Sequence, residues 1–278
     1  MLDSVDICVI GTTSLDTLHL TNQTTAHVAG GAGLYTALAA HQAQANVGLF
    51  GPRPTPMPEP LQPFAERVTW LGPLISPDGV ARLEIAHYGG GKAELLTASW
   101  GAESEFLPLN IPSMVTESSI IHLAALSTAE RQLDFLLALL DNSDDEIPFL
   151  SVGTYGRLVH ENRERVAQLF ELADIFFMNN NEATGFFGSV DQATTRPEAL
   201  LFVTLGEQGA LVVTHEQTTH IPAIATTEID PTGAGDTFCG VTLAGLYQGL
   251  DPVSSAQQAV VMAAQTVSGI GPARLLVG

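Results

Sequence analysis

The chain has 278 residues, 45% apolar and 14% charged, a balance that excludes an intrinsically disordered protein and supports a large buried core. Its 30 acidic residues outnumber ten basic ones, for a net charge of −20, and Lys92 is the sole lysine. That excludes the basic clusters on which nucleic-acid binding depends, and no apolar run approaches the ~20 residues that span a bilayer, so neither partner is expected.

The start, Met1-Leu2-Asp3-Ser4, has no basic region leading into an apolar one, so no secretory leader is expected. Residues 5–10, apolar apart from Asp6, end at Gly11, which predicts a buried strand. Residues 15–28 carry β-branched side chains without helical spacing and read as extended. Leu34, Leu38, His41 and Ala45 form a helical stripe, and 46–50 predicts the next strand. The proline-rich stretch 52–63 reads as a stiff, exposed connection. Residues 80–99 read as two extended runs around Gly89-Gly90-Gly91.

Short apolar runs at 119–123, 149–152, 175–178 and 200–204 then alternate with helical stripes through Leu133 to Leu140 and Val166 to Ala173. The acidic run at 141–146 reads as a solvated loop. Strands alternating with helices predict one α/β domain over 1–278, a mostly parallel sheet with helices on both faces. The extended regions, about 12–28 and 76–99, predict a small antiparallel sheet standing off it. Cys8 and Cys239 fall in a predicted strand and a predicted helix, as buried thiols rather than a disulfide, which points to a reducing, cytoplasmic setting.

The most informative segment is Asp230-Pro231-Thr232-Gly233-Ala234-Gly235-Asp236-Thr237-Phe238-Cys239-Gly240. Its glycines let the backbone curl and present N–H groups to an anion, and a helical pattern through Phe238 and Val241 follows at once. A loop opening into a helix N-terminus favours negative charge, and Asp236 stands at its mouth. The helix terminus favours the ionised carboxylate, a base beside an anion hole, as phosphoryl transfer to a hydroxyl requires. The plainer reading is a glycine-rich turn with an aspartate cap.

This segment resembles the C-terminal signature of the ribokinase-like (PfkB) carbohydrate kinases. Gly30-Gly31-Ala32-Gly33, Asn179-Asn180-Asn181-Glu182 and Val203-Thr204-Leu205-Gly206 through Gly209 resemble further family segments, in the same order and rough spacing. The resemblance implies a kinase that moves the γ-phosphoryl group of ATP to an alcohol hydroxyl of a small-molecule acceptor, a sugar or polyol. Asp236 becomes the general base and Gly233, Ala234 and Gly235 the amide donors. Glu182 is a candidate to place Mg²⁺ through water, and Asn179, Thr204, Gly206 and Gly209 fall on the nucleotide side, with Gly209 as a turn glycine. Asp230 and Thr232 match positions that often help to bind a monovalent cation such as K⁺ in relatives, with a turn held by the Asp230 side chain as the alternative.

On the acceptor side the resemblance points to Asp16, with Ser14 where relatives carry asparagine, and to Gly30 and Gly31, which allow close approach. Tyr35 stands where many members have asparagine, so ribose specificity does not carry over. Gly153 takes the place of a substrate-binding aspartate of some sugar kinases, and Val260 that of an asparagine near the base. In the family the small sheet is a lid and often a dimer surface. The rival readings are a nucleoside kinase, with Tyr35 lining a base pocket, and a catalytically silent nucleotide- or sugar-binding protein.

Other motifs fail on spacing. Gly91-Lys92 invites a P-loop reading, but Ala86 and Ala93 stand at its required glycine and hydroxyl positions. No Gly-x-Gly-x-x-Gly follows the first strand, and His215 and His220 lack metal-ligand spacing. His122 reads as a satisfied core residue, and Arg157 as an exposed helix-start arginine.

Overall fold

Apolar runs bounded by glycine or polar turns become the strands. A computed structural model of the chain describes residues 5–141 and 148–276, so residues 1–4 and most of the acidic run at 141–146 lie outside the described residues. The early strands are β1 (Ile7–Ile10), β2 (Ser14–His19), β3 (Thr25–Gly30) and β4 (Val47–Phe50). Three short ones follow, β5 (Arg53–Pro54), β6 (Thr69–Trp70) and β7 (Leu74–Ile75), then the long pair β8 (Ala81–Gly89) and β9 (Lys92–Ser99). The second half supplies β10 (Ile120–Leu123), β11 (Phe149–Gly153) and β12 (Ile175–Asn179). It ends with β13 (Leu200–Thr204), β14 (Ala210–Val213) and β15 (Thr218–Ile221).

The large sheet has the order β15-β14-β13-β12-β11-β10-β1-β4-β6. It is parallel from β13 to β6, and β14 and β15 add an antiparallel edge. The twofold alternation of a strand explains its unbroken apolar sequence: Ile7 and Val9 enter one core, Cys8 and Ile10 the other. Helices Ala32–Gln42, Ala234–Tyr247 and Pro252–Thr266 close the first core. Helices Ala129–Asp141, Arg163–Leu172 and Asn180–Phe187 close the second.

The small sheet has the order β3-β2-β8-β9. Its two hairpins are antiparallel, as the extended runs predict, and a parallel pairing of β2 with β8 joins them. The proline-rich stretch departs from the expectation of an exposed connection. Pro52 and Pro54 are buried, and β5 pairs with β7. A 3₁₀ turn over Glu59–Phe64 places Leu61 and Phe64 on one face, and both enter the core. No helix among the described residues is long and apolar enough to cross a membrane.

Candidate active site

Parallel strands deliver their carboxyl ends to one edge of the sheet, where open α/β folds form clefts. Here that edge opens into a cavity of about 380 Å³. Thr12, Gly153, Asn179 and Thr204, at or just beyond strand ends, line its base. The small sheet covers it with Leu83, Ile85 and Leu95. The cavity brings together Asp16, Gly31 and Tyr35 from one proposed side, Asn179, Glu182 and Thr204 from the other, and Thr232, Gly235 and Asp236 between them.

The 230–236 loop has the conformation that its glycines allow. Gly233 is the N-cap of helix Ala234–Tyr247, with a left-handed φ of 74°. Ala234 N–H reaches Pro231 O at 3.3 Å, whereas the N–H groups of Gly233 and Gly235 find no acceptor among the described residues. Gly235 has open space beside its Cα. Unclaimed amides at a helix mouth are a place for an anion. Asp236 lies in the first turn and is partly exposed. Burial pushes its carboxyl up to about 6, against the lowering effect of its own N–H. The helix terminus therefore does not dominate, contrary to the sequence expectation, yet the group remains ionised at neutral pH.

On the acceptor side Ser14 Oγ, Asp16 Oδ1 and Tyr35 OH are buried without a hydrogen-bond partner among the described residues. Buried polar atoms demand partners, and three of them lining one cavity predict a polar ligand. Burial pushes Asp16 up to about 7, against the lowering effect of the Ser14 hydroxyl, which lies near the carboxyl without forming a well-aligned hydrogen bond, and the charge of Asp230 adds to the rise. Gly31 lines the cavity with a φ of 98°. Gly30 does not; a Cβ there would lie 1.8 Å from Asp16 Oδ2, so this glycine makes room for the aspartate rather than for substrate.

Asn179 and Glu182 form a reciprocal capping box for helix Asn180–Phe187. Asn179 N–H donates to Glu182 Oε2 at 2.8 Å, and Asn179 Nδ2 donates to Oε1 at 2.5 Å. Burial pushes Glu182 up to about 8, and the charge of Asp236 adds to the rise. With both oxygens already accepting from Asn179, the carboxyl fits a water-mediated hold on Mg²⁺ better than direct coordination. Thr204 lines the cavity and Gly206 keeps open space beside it, but Gly209 is a turn glycine whose Cβ would lie 2.0 Å from Ile221 O.

Asp230 and Thr232, the candidate cation pair, are drawn into the hydrogen bonds of their own loop. Asp230 Oδ1 accepts Thr232 N–H at 2.9 Å and Oδ2 accepts Gly271 N–H at 2.7 Å. His87 Nε2 then lies 2.9 Å from Thr232 Oγ1 and 3.5 Å from Asp230 Oδ1. The turn alternative describes the geometry, with a histidine from β8 closing it. Val260 likewise sits in the core beside Ala256 and not in the cavity.

His122 lines the cavity but is satisfied by Ser151 Oγ at 2.8 Å, and burial lowers it to about 3, so it stays neutral. Arg157 pairs on the surface with Glu161 at 2.8 Å. Sequence reading passed over Thr154 and Tyr155, which line the cavity with unpartnered hydroxyls just after β11. Their place beyond a parallel strand is the signal that could have found them. His87 had no local signal at all, being drawn to Thr232 across 145 residues.

A cytidine kinase of Thermococcus kodakarensis is 27% identical over 254 residues, which cover 88% of this chain and 90% of that protein. The nucleoside kinase of Burkholderia thailandensis, solved with inosine, superposes with a TM-score of 0.77 at 20% identity, covering 96% of this chain and 92% of that one. A ribokinase from Cryptococcus neoformans, solved with ADP, gives 0.75 at 19% identity, with 97% and 95% covered. The family model for pfkB family carbohydrate kinases matches residues 81–276, most of the length, and the chain belongs to that family of phosphotransferases.

Proposed function

We propose that one α/β domain with a lid transfers the γ-phosphoryl group of ATP to an alcohol hydroxyl of a sugar or polyol. The carrying observation is the shared cavity: Asp236, the unclaimed amide of Gly235 and three buried polar atoms without partners all border it. In this reading the acceptor hydroxyl hydrogen-bonds near Asp16, and Asp236 takes its proton as its oxygen attacks phosphorus. A loose transition state tolerates so weak a base, because the proton can leave late. Gly233 and Gly235 direct their unclaimed N–H groups at the charge on the transferred unit, and Ala234, whose N–H is held by Pro231 O, keeps the loop in shape between them. Asn179, Thr204 and Gly206 border the nucleotide phosphates. Glu182, once ionised, would hold Mg²⁺ through water, and the ion would supply the positive charge that a chain of net −20 lacks.

A second reading makes the acceptor a nucleoside. Leu83, Ile85, Leu95 and Trp100 form an apolar wall that suits a flat base better than a polyol, and the cytidine kinase relative points the same way. A panel of sugars, polyols and nucleosides, followed by ADP release, decides between them. Turnover concentrated on sugars or polyols supports the first reading, and strong cytidine or adenosine turnover overturns it. Tight ligand binding without turnover across the panel favours a silent binding protein.

We place the protein in the cytoplasm, in keeping with its free, buried Cys8 and Cys239. β9 lies at a sheet edge with Leu95 and Leu96 exposed, and a homodimer through the lid is the assembly we infer. A sedimentation mass of one chain, unchanged by Leu96→Glu, contradicts it.

A further inference from the structure

We propose that Tyr35 is a positioning residue for phosphoryl transfer: its buried ring seats Gly233 and thereby aims the amides that receive the migrating group. The proposal deepens the kinase reading above and rests on it. Tyr35 lies in the first turn of helix Ala32–Gln42 and is 1% exposed. A Cβ added to Gly233 would lie 2.3 Å from two carbons of the Tyr35 ring, so the glycine Cα packs directly against that ring. Gly233 is also the left-handed residue from which helix Ala234–Tyr247 starts. Two demands for glycine coincide at one residue: a positive φ and the close approach of a ring.

The next glycine in the loop, Gly235, has open space and an unclaimed N–H. Its direction follows from where the chain leaves Gly233, and the ring fixes that point. The hydroxyl end of Tyr35 is buried without a partner, and the residue lines the same cavity as Asp16 and Asp236. One rigid side chain thus links the acceptor pocket to the phosphoryl loop. Replacing the ring with a flexible chain opens space beneath Gly233, and a loop that shifts by a fraction of an ångström loses alignment before it loses its fold.

Two variants separate ring from hydroxyl. Tyr35→Leu should lower kcat about thirtyfold or more while the KM for ATP rises no more than about tenfold. Tyr35→Phe should recover most of the kcat that Tyr35→Leu loses, because the ring remains, while the KM for the acceptor rises about tenfold, because the hydroxyl that borders the acceptor pocket is gone. If Tyr35→Leu does not fold, Tyr35→Met, whose unbranched chain adapts to the space but has no flat ring, carries the same expectation.

A second measurement does not depend on turnover. Calorimetric affinities for ADP and for AMP-PNP, which carries a non-transferable γ-phosphoryl group, are compared with Mg²⁺ present. The ring-less variant should bind ADP like the intact chain and AMP-PNP about tenfold more weakly. Equal losses in Phe and Leu variants, or parallel losses for both nucleotides, overturn the proposal. An intact chain that binds both nucleotides but turns over no acceptor counts against the kinase reading alone, and the AMP-PNP difference then decides for or against Tyr35. An intact chain that binds neither overturns both.

Discussion

Asp230 and Asp236 belong to one loop, yet their surroundings assign them opposite work. Asp230 is buried, with both oxygens accepting backbone N–H groups and a histidine beside them. Asp236 borders the cavity beside amides that nothing else claims. The first carboxylate spends its hydrogen-bonding capacity on the loop, and the second keeps it for a ligand. Residue type and motif position do not distinguish these roles; hydrogen-bond accounting does.

The comparison breaks if the two aspartates respond alike to substitution. The largest expected effect is on turnover. Asp236→Asn should lower kcat about 10³-fold while ATP affinity measured by calorimetry stays within about threefold. A variant that keeps over half of normal turnover removes Asp236 from the role. Asp230→Ala should act on stability instead, stranding the N–H groups of Thr232 and Gly271 and costing about 3 kcal/mol in denaturant unfolding. Unchanged stability with lost turnover makes Asp230 part of the chemistry.

A pH series sharpens the contrast. A base with its carboxyl near 6 must be ionised, so kcat should fall about tenfold between pH 7.5 and pH 5. The stability effect has the opposite sense. The folded value of about 6 lies above the ordinary 3.8, so the folded chain binds this proton more tightly than the unfolded one. Stability from this group is present below about 3.8 and is lost as pH rises through about 6. Asp236→Asn should therefore melt at a higher temperature than the intact chain at pH 7.5, with the gain gone by about pH 4. The smallest effect is at Arg157, whose exposed pair with Glu161 predicts no measurable change in turnover or melting for Arg157→Ala.

Much of this architecture is legible in the chain because its signals are local. β13 spans Leu200–Thr204 as its apolar run predicts, and helix Ala234–Tyr247 starts at the glycines that announce it. What escapes sequence reading depends on partners far along the chain. The parallel pairing of β2 with β8 has no turn to mark it. Leu61 and Phe64 look like part of an exposed proline stretch until a 3₁₀ turn aligns them. Gly30 looks like an opening for substrate, whereas the Asp16 carboxylate already fills that space. The fate of Asp230 turns on Gly271 and His87, neither of which its own neighbourhood reveals.

The central claim is that amides of the 233–235 loop and the Asp236 carboxylate converge on the transferred group. A crystal structure with ADP, aluminium fluoride, Mg²⁺ and the acceptor identified by the panel tests it most directly. The account predicts the fluoride unit within about 3.2 Å of the Gly233 or Gly235 nitrogen and the acceptor oxygen within about 3 Å of Asp236. A fluoride unit held elsewhere, with Asp236 facing no hydroxyl, contradicts it.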